Sequence, residues 1–186
     1  GARRMAGITI GFAGLSHLGI VSGAAMAEKG FDVIGYDDDP VLVGTLLKGE
    51  SPVVEPDLAA LQKKNRSRLD YTSDVSQLDR CDLIYIARDV PTDDAGTSDV
   101  SAISTLIDNV TPHVRDDAVI VVLCQVPPGF TRRLHAADPR FFYQVETLIF
   151  GRAVERALYP ERFIVGTPDT KQPLPPVFRT VLDAFD

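Results

Sequence analysis

Cysteine is scarce: the 186-residue chain has two, Cys81 and Cys124. Two thiols make neither a disulfide framework nor a metal-binding set, so no metal is expected and a reducing compartment is the simplest setting. Positive charge is also short, with 19 Lys and Arg against 26 Asp and Glu and a net charge of −7. That balance argues against nucleic acid, whose phosphates would be repelled unless a basic patch were segregated on one face. The basic run Lys63-Lys64-Asn65-Arg66-Ser67-Arg68 reads as a solvated helix end. No apolar run is long enough to span a bilayer and no signal peptide is visible, so no membrane role and a cytoplasmic location are expected. Internal repeats and low-complexity segments are missing too. What is left is the composition of an ordinary globular protein, and residues 1–186 are expected to form one domain around one core.

The chain is organised around the stretch from Ile8 to Asp37. Ile8-Thr9-Ile10-Gly11-Phe12-Ala13 is short, apolar and β-branched at its start, as a strand covered on both faces tends to be. Gly14-Leu15-Ser16-His17-Leu18-Gly19 follows at once. Ile20, Val21, Ala24, Ala25 and Ala27 then recur at helical spacing until Glu28-Lys29-Gly30 supplies a cation and a closing glycine. Asp32 to Asp37 reads as the next strand.

This strand, glycine turn, helix and acid-ended strand form a dinucleotide-binding unit. One glycine turns the chain tightly out of the strand, a second lets backbone approach a pyrophosphate, and a third brings the helix close to the sheet. Gly14 and Gly19 fill the outer two roles. Ser16 stands where the middle glycine is expected, and its side chain either crowds the phosphate or donates a hydroxyl to it. Asp37, about 20 residues beyond the turn, is placed to accept hydrogen bonds from a ribose diol. With Asp38 and Asp39 beside it, a 2′-phosphate would be repelled, which favours NAD over NADP. The bland alternative is a glycine turn that packs a Rossmann-like domain and holds nothing.

Further on, Asp39-Pro40 reads as a cap and first helical residue, with a helix running to Lys48-Gly49. Pro52 and Pro56 interrupt the next segment, and a short amphipathic helix follows, from Leu58 to Asn65. Strands are expected at 69–72, 83–87, 118–123, 141–146 and 163–165, with a brief helix at 75–78. Fuller helices are expected at 100–110 and from Pro175 to Phe185, with a short one after Thr131. Strands alternating with helices predict an α/β fold, a Rossmann-like, doubly wound, mainly parallel sheet with helices on both faces. The loops after Ala87 and after Leu123 then lie at the carboxyl edge of the sheet, where ligands bind.

These residues resemble the nucleotide-sugar 6-dehydrogenases, the UDP-glucose and GDP-mannose dehydrogenases, along nearly the whole chain. Leu18-Gly19-Ile20-Val21-Ser22-Gly23 looks like the start of that family's first helix. Lys48-Gly49-Glu50-Ser51-Pro52-Val53-Val54-Glu55-Pro56-Asp57-Leu58 is similar to its most distinctive segment. Weaker echoes are Asp82 to Ala87, Val126-Pro127-Pro128-Gly129 and Tyr159-Pro160-Glu161-Arg162.

The resemblance implies an N-terminal domain that holds NAD. In the family a central helix, through which these proteins usually associate, and a second domain supply most of the nucleotide-sugar site, a catalytic cysteine and a lysine. None of those segments is in this chain, so no turnover is expected of it alone. The family's Asn-Pro-Glu-Phe-Leu-x-Glu-Gly segment falls on residues 144–151, so Glu146 keeps the first acid and Phe150 replaces the second. Its Ser-Thr-Val-Pro segment puts Cys124 and Gln125 at the serine and threonine, and Val90 replaces a threonine near the cofactor.

Glu146 and Gln125 are therefore the candidate catalytic residues. Gly14, Ser16, His17, Leu18, Gly19, Asp37, Ala87 and Val90 are the candidates for holding NAD. Cys124 reads as a small buried hydrophobe, and Cys81 is on the edge opposite the ligands. His17 either contacts a ligand or stands exposed in its turn, while His113 and His135 read as surface. Two functions are left open. One is the NAD-binding domain of an oxidoreductase acting on a nucleotide sugar. The other is a non-catalytic Rossmann module binding a nucleotide or a protein partner.

Overall fold

The computed structural model describes residues 7–89, 100–127, 129–148, 151–167 and 171–186. The elements in chain order are β1 (Thr9–Ala13), α1 (His17–Glu28), β2 (Asp32–Tyr36), α2 (Pro40–Leu47), α3 (Leu58–Lys64), β3 (Leu69–Thr72) and β4 (Leu83–Ile86). They continue with α4 (Ser101–Val110), β5 (Val119–Val122), α5 (Phe130–Ala137), β6 (Phe141–Gln144), α6 (Ala153–Leu158), β7 (Val165–Gly166) and α7 (Pro176–Asp183). Short 3₁₀ turns join several of them, among them Val75–Arg80 where a brief helix is expected.

The strands make one seven-stranded sheet in the order β3-β2-β1-β4-β5-β6-β7. Every neighbouring pair is parallel except β6 and β7. The winding direction reverses between β1 and β4, which opens a crevice at the carboxyl ends of those strands. This is the doubly wound sheet the sequence predicts.

The continuous apolar runs follow from burial on both faces. Phe12, Tyr85, Val121 and Phe142 belong to the core on one face, whereas Ile34, Ile86, Ile120, Val122 and Phe141 belong to the other. Helix α1 is buried nearly all round, through Leu18, Ile20, Val21, Gly23, Ala24, Ala25, Met26 and Ala27. Small residues make that possible, and α3 and α6 pack along its flanks. It stops where Gly30 turns at φ +104°, with the Phe31 amide bonded back to the Met26 carbonyl.

Two elements differ from expectation. Helix α6 has only six residues, of which Ala153 and Val154 are buried, too few for a helical period to show. Strand β7 begins two residues later than expected, at Val165, and pairs antiparallel. Among the described residues no helix is long and apolar enough to cross a membrane.

Candidate functional site

The site grows from the turn after β1. Gly14 adopts φ +97°, and a Cβ there would lie 2.9 Å from the Arg88 amide nitrogen, so both conformation and space demand glycine. A Cβ on Gly19 would lie 2.1 Å from the Gly14 carbonyl oxygen, which lets α1 begin directly against the turn. The third glycine thus seats the helix on the turn itself.

Ser16 is resolved by geometry. Its hydroxyl donates to the Ala87 carbonyl at 2.7 Å, tying the turn to the end of β4. Ser16 is also the N-cap residue of α1 but gives no side-chain cap, so its oxygen does not occupy the first-turn amides. Those amides and the positive end of the helix dipole are what a diphosphate requires.

Asp37 follows β2 and is buried. One carboxylate oxygen accepts from the Leu15 amide at 2.9 Å and the other from the Asp39 amide at 3.0 Å. The carboxylate is therefore pinned against the glycine turn. An ionised carboxylate has about four lone-pair sites, so capacity for a further donor remains. Asp39 caps α2 by accepting from the Val41 and Leu42 amides, as its place before Pro40 predicts.

On the β5–β6 side of the turn lies a cleft of about 260 Å³ lined by His17, Leu18, Asp89, Cys124, Gln125, Glu146 and Leu148. Gln125 is exposed and Glu146 half-buried. Burial raises the Glu146 carboxyl above its ordinary value; the Leu148 amide lowers it, the Asp89 charge raises it further and His17 lowers it. A carboxyl moved towards neutrality in a cleft is suited to proton transfer. Cys124 also faces this cleft, yet burial pushes its thiol up to about 12, so it is no thiolate at neutral pH.

The remaining cysteine and histidines are placed away from this cleft. Cys81 is fully buried at the opposite edge, its thiol likewise pushed up to about 12 by burial. His135 pairs with the Phe141 carbonyl at 2.6 Å and is half-buried, whereas His113 is exposed. Val90 and Phe150 lie outside the described residues.

Sequence reasoning assigned no role to Glu55. Its side chain is 1% exposed, and one oxygen is 2.7 Å from His17 Nε2 and 3.0 Å from the Gly151 amide. His17 is thus half-buried and paired, rather than standing exposed in the turn. The available signal was an acid set between Val54 and Pro56 in the segment carrying the family resemblance.

The model of the UDP-glucose/GDP-mannose dehydrogenase family, NAD binding domain, matches residues 8–182. The chain belongs to that family. UDP-glucose 6-dehydrogenase of Rickettsia typhi is 32% identical over 168 residues, covering 86% of this chain and 39% of the relative. UDP-glucose 6-dehydrogenase YwqF of Bacillus subtilis is 30% identical over 170 residues, with 85% and 39% covered. The chain therefore spans about two fifths of the length of these curated relatives. Among solved structures, a UDP-glucose dehydrogenase from Pyrobaculum islandicum superposes with a TM-score of 0.82 at 24% identity, over 100% of this chain and 44% of that one. A ternary complex of GDP-mannose dehydrogenase from Pseudomonas aeruginosa gives 0.79 at 22%, over 95% and 43%. At these identities the superpositions establish the fold, and the family match establishes an NAD-binding domain.

Proposed function

We propose that the crevice between β1 and β4 holds NAD in an oxidoreductase that acts on a nucleotide sugar, and that this chain alone binds the cofactor without turning over. The observation that carries the reading is Asp37, a buried carboxylate pinned to the glycine turn by the Leu15 amide at 2.9 Å. In this reading the uncapped first turn of α1 receives the diphosphate, and Asp37 accepts from the adenosine ribose. Gly14, Ser16 and Ala87 hold the turn in shape, and His17 and Leu18 border the cleft beyond it. NAD supplies hydride acceptance when bound. Glu146 moves a proton in the cleft, and Gln125 orients the substrate there.

UDP-glucose and GDP-mannose are the substrate classes the relatives' names suggest. The expected lack of turnover rests on the chain's spanning about two fifths of its relatives' length, since hydride transfer needs a substrate held against the nicotinamide. Two buried free cysteines support a reducing, cytoplasmic setting.

Calorimetric titration of the 186-residue chain tests this reading. Heat with NAD and none with NADP is the expected result, with Asp37→Asn weakening NAD about tenfold. Silence with both would overturn the reading and leave the alternative of a Rossmann module without redox chemistry. Reduction of NAD by the chain with UDP-glucose or GDP-mannose would overturn the claim of no turnover.

A further inference from the structure

Glu55 lies in neither the glycine turn nor the acid-bearing loop, yet it touches both. It belongs to the connection between α2 and α3, between Pro52 and Pro56. Proline fixes φ at both positions, which limits how far this segment can relax. One carboxylate oxygen takes two bonds, to the His17 ring at 2.7 Å and to the Gly151 amide at 3.0 Å. His17 is the first residue of α1, and Gly151 precedes α6 at φ +83°. The other oxygen is buried and has no hydrogen-bond partner among the described residues. The His17 ring and the Gly151 amide carry most of this carboxylate's support, with the Ala153 amide close by, and an unpaired buried charge is costly.

One donor lines the cleft, and the other follows the cleft's far wall in the chain. His17 stands in the cofactor turn and lines the cleft, and the loop between β6 and Gly151 carries Glu146 and Leu148 on the cleft's other wall. Within that loop Glu146 accepts from the Leu148 amide.

We propose that Glu55 is a positioning residue: it clips the cofactor turn to the acid-bearing loop through one shared oxygen, so that the two walls of the crevice are set together. The proposal deepens the crevice reading and rests on it for its cofactor arm, but not for its structural arm. Two independent contacts would stabilise the fold equally well. Only a clip transmits a change at His17 to the Gly151 amide.

The experiment follows amide hydrogen exchange at Gly151, together with NAD affinity, in the 186-residue chain and in His17→Phe and His17→Gln. Phenylalanine keeps the ring bulk and removes the donor, whereas glutamine restores a donor at comparable reach. In His17→Phe, exchange at Gly151 accelerates about tenfold and NAD binding weakens by a similar factor, as the loss of one charge-assisted bond implies. In His17→Gln both return to within about twofold of the parent. Unchanged exchange at Gly151 in folded His17→Phe overturns the clip, as does weakened NAD binding that His17→Gln fails to rescue. Should His17→Phe not fold, His17→Leu takes its place with the same expected acceleration, and parent-like exchange at Gly151 there or in Glu55→Ala overturns the clip. If the parent binds no NAD, the proposed function falls while the exchange arm still decides the clip.

Discussion

Gly19 shows how little freedom the glycine turn has. Its missing Cβ is replaced by the Gly14 carbonyl oxygen, 2.1 Å from where that carbon would be. Gly19→Ala should therefore destabilise the chain by about 2–3 kcal/mol, since backbone rather than a flexible side chain must move. A melting temperature within one degree or so of the parent's would refute that. Glu55 gives a second prediction at this scale. The Gly151 amide lowers its carboxyl below the ordinary 4.5, burial opposes this, and His17 and the Ala153 amide lower it further. A depressed carboxyl stabilises the fold fully above its unfolded value and loses that contribution as pH falls through the folded one. Melting curves from pH 7 down to about pH 3 should thus show the parent's advantage over Glu55→Gln shrinking below about pH 4.5. A constant difference across the range would show that the charge is not linked to folding. The sequence displays both residues but explains only one. Gly19 follows from a local spacing, whereas Glu55 acts on partners 38 and 96 positions away, which no local pattern records.

Among the elements, the strands were legible as short continuous apolar runs and the amphipathic α4 from its helical period. Helix α6 was not, because its six residues include two buried ones and its place is set by packing against α1. The sense of β7 was equally hidden: two residues have no alternation to read, and antiparallel pairing with β6 depends on how the chain returns. Helix α7 offers the sharpest test of packing. Phe178 is fully buried and meets Phe142 of β6 edge-on, with ring centroids 5.9 Å apart. Phe178→Ala should cost about 3–5 kcal/mol, from lost burial plus the cavity left behind. Urea denaturation of the two proteins checks this, and a loss below about 1 kcal/mol would mean that α7 contributes little to the fold.

The whole molecule carries a charge of −7 that the pairings within the fold do not cancel. Self-repulsion of that kind lowers stability in dilute buffer and is screened by salt. Raising ionic strength from about 0.01 M to about 0.15 M shortens the screening length from roughly 30 Å to roughly 8 Å and should raise the melting temperature. A fall over that range would mean that the surface pairs, such as Arg115 with Asp82, outweigh the repulsion. At this scale the fold class was the most legible property, since alternating strands and helices leave few other topologies open. The crevice was legible in outline, through Gly14, Gly19 and Asp37, while its second wall depended on contacts made only after folding. One consequence follows from the edge strand β7. A rim two residues long, running against its neighbour, gives an incoming polypeptide almost no template for strand addition. Protein held at high concentration should therefore resist fibril growth from that rim, leaving β3 as the flank where self-templating would start.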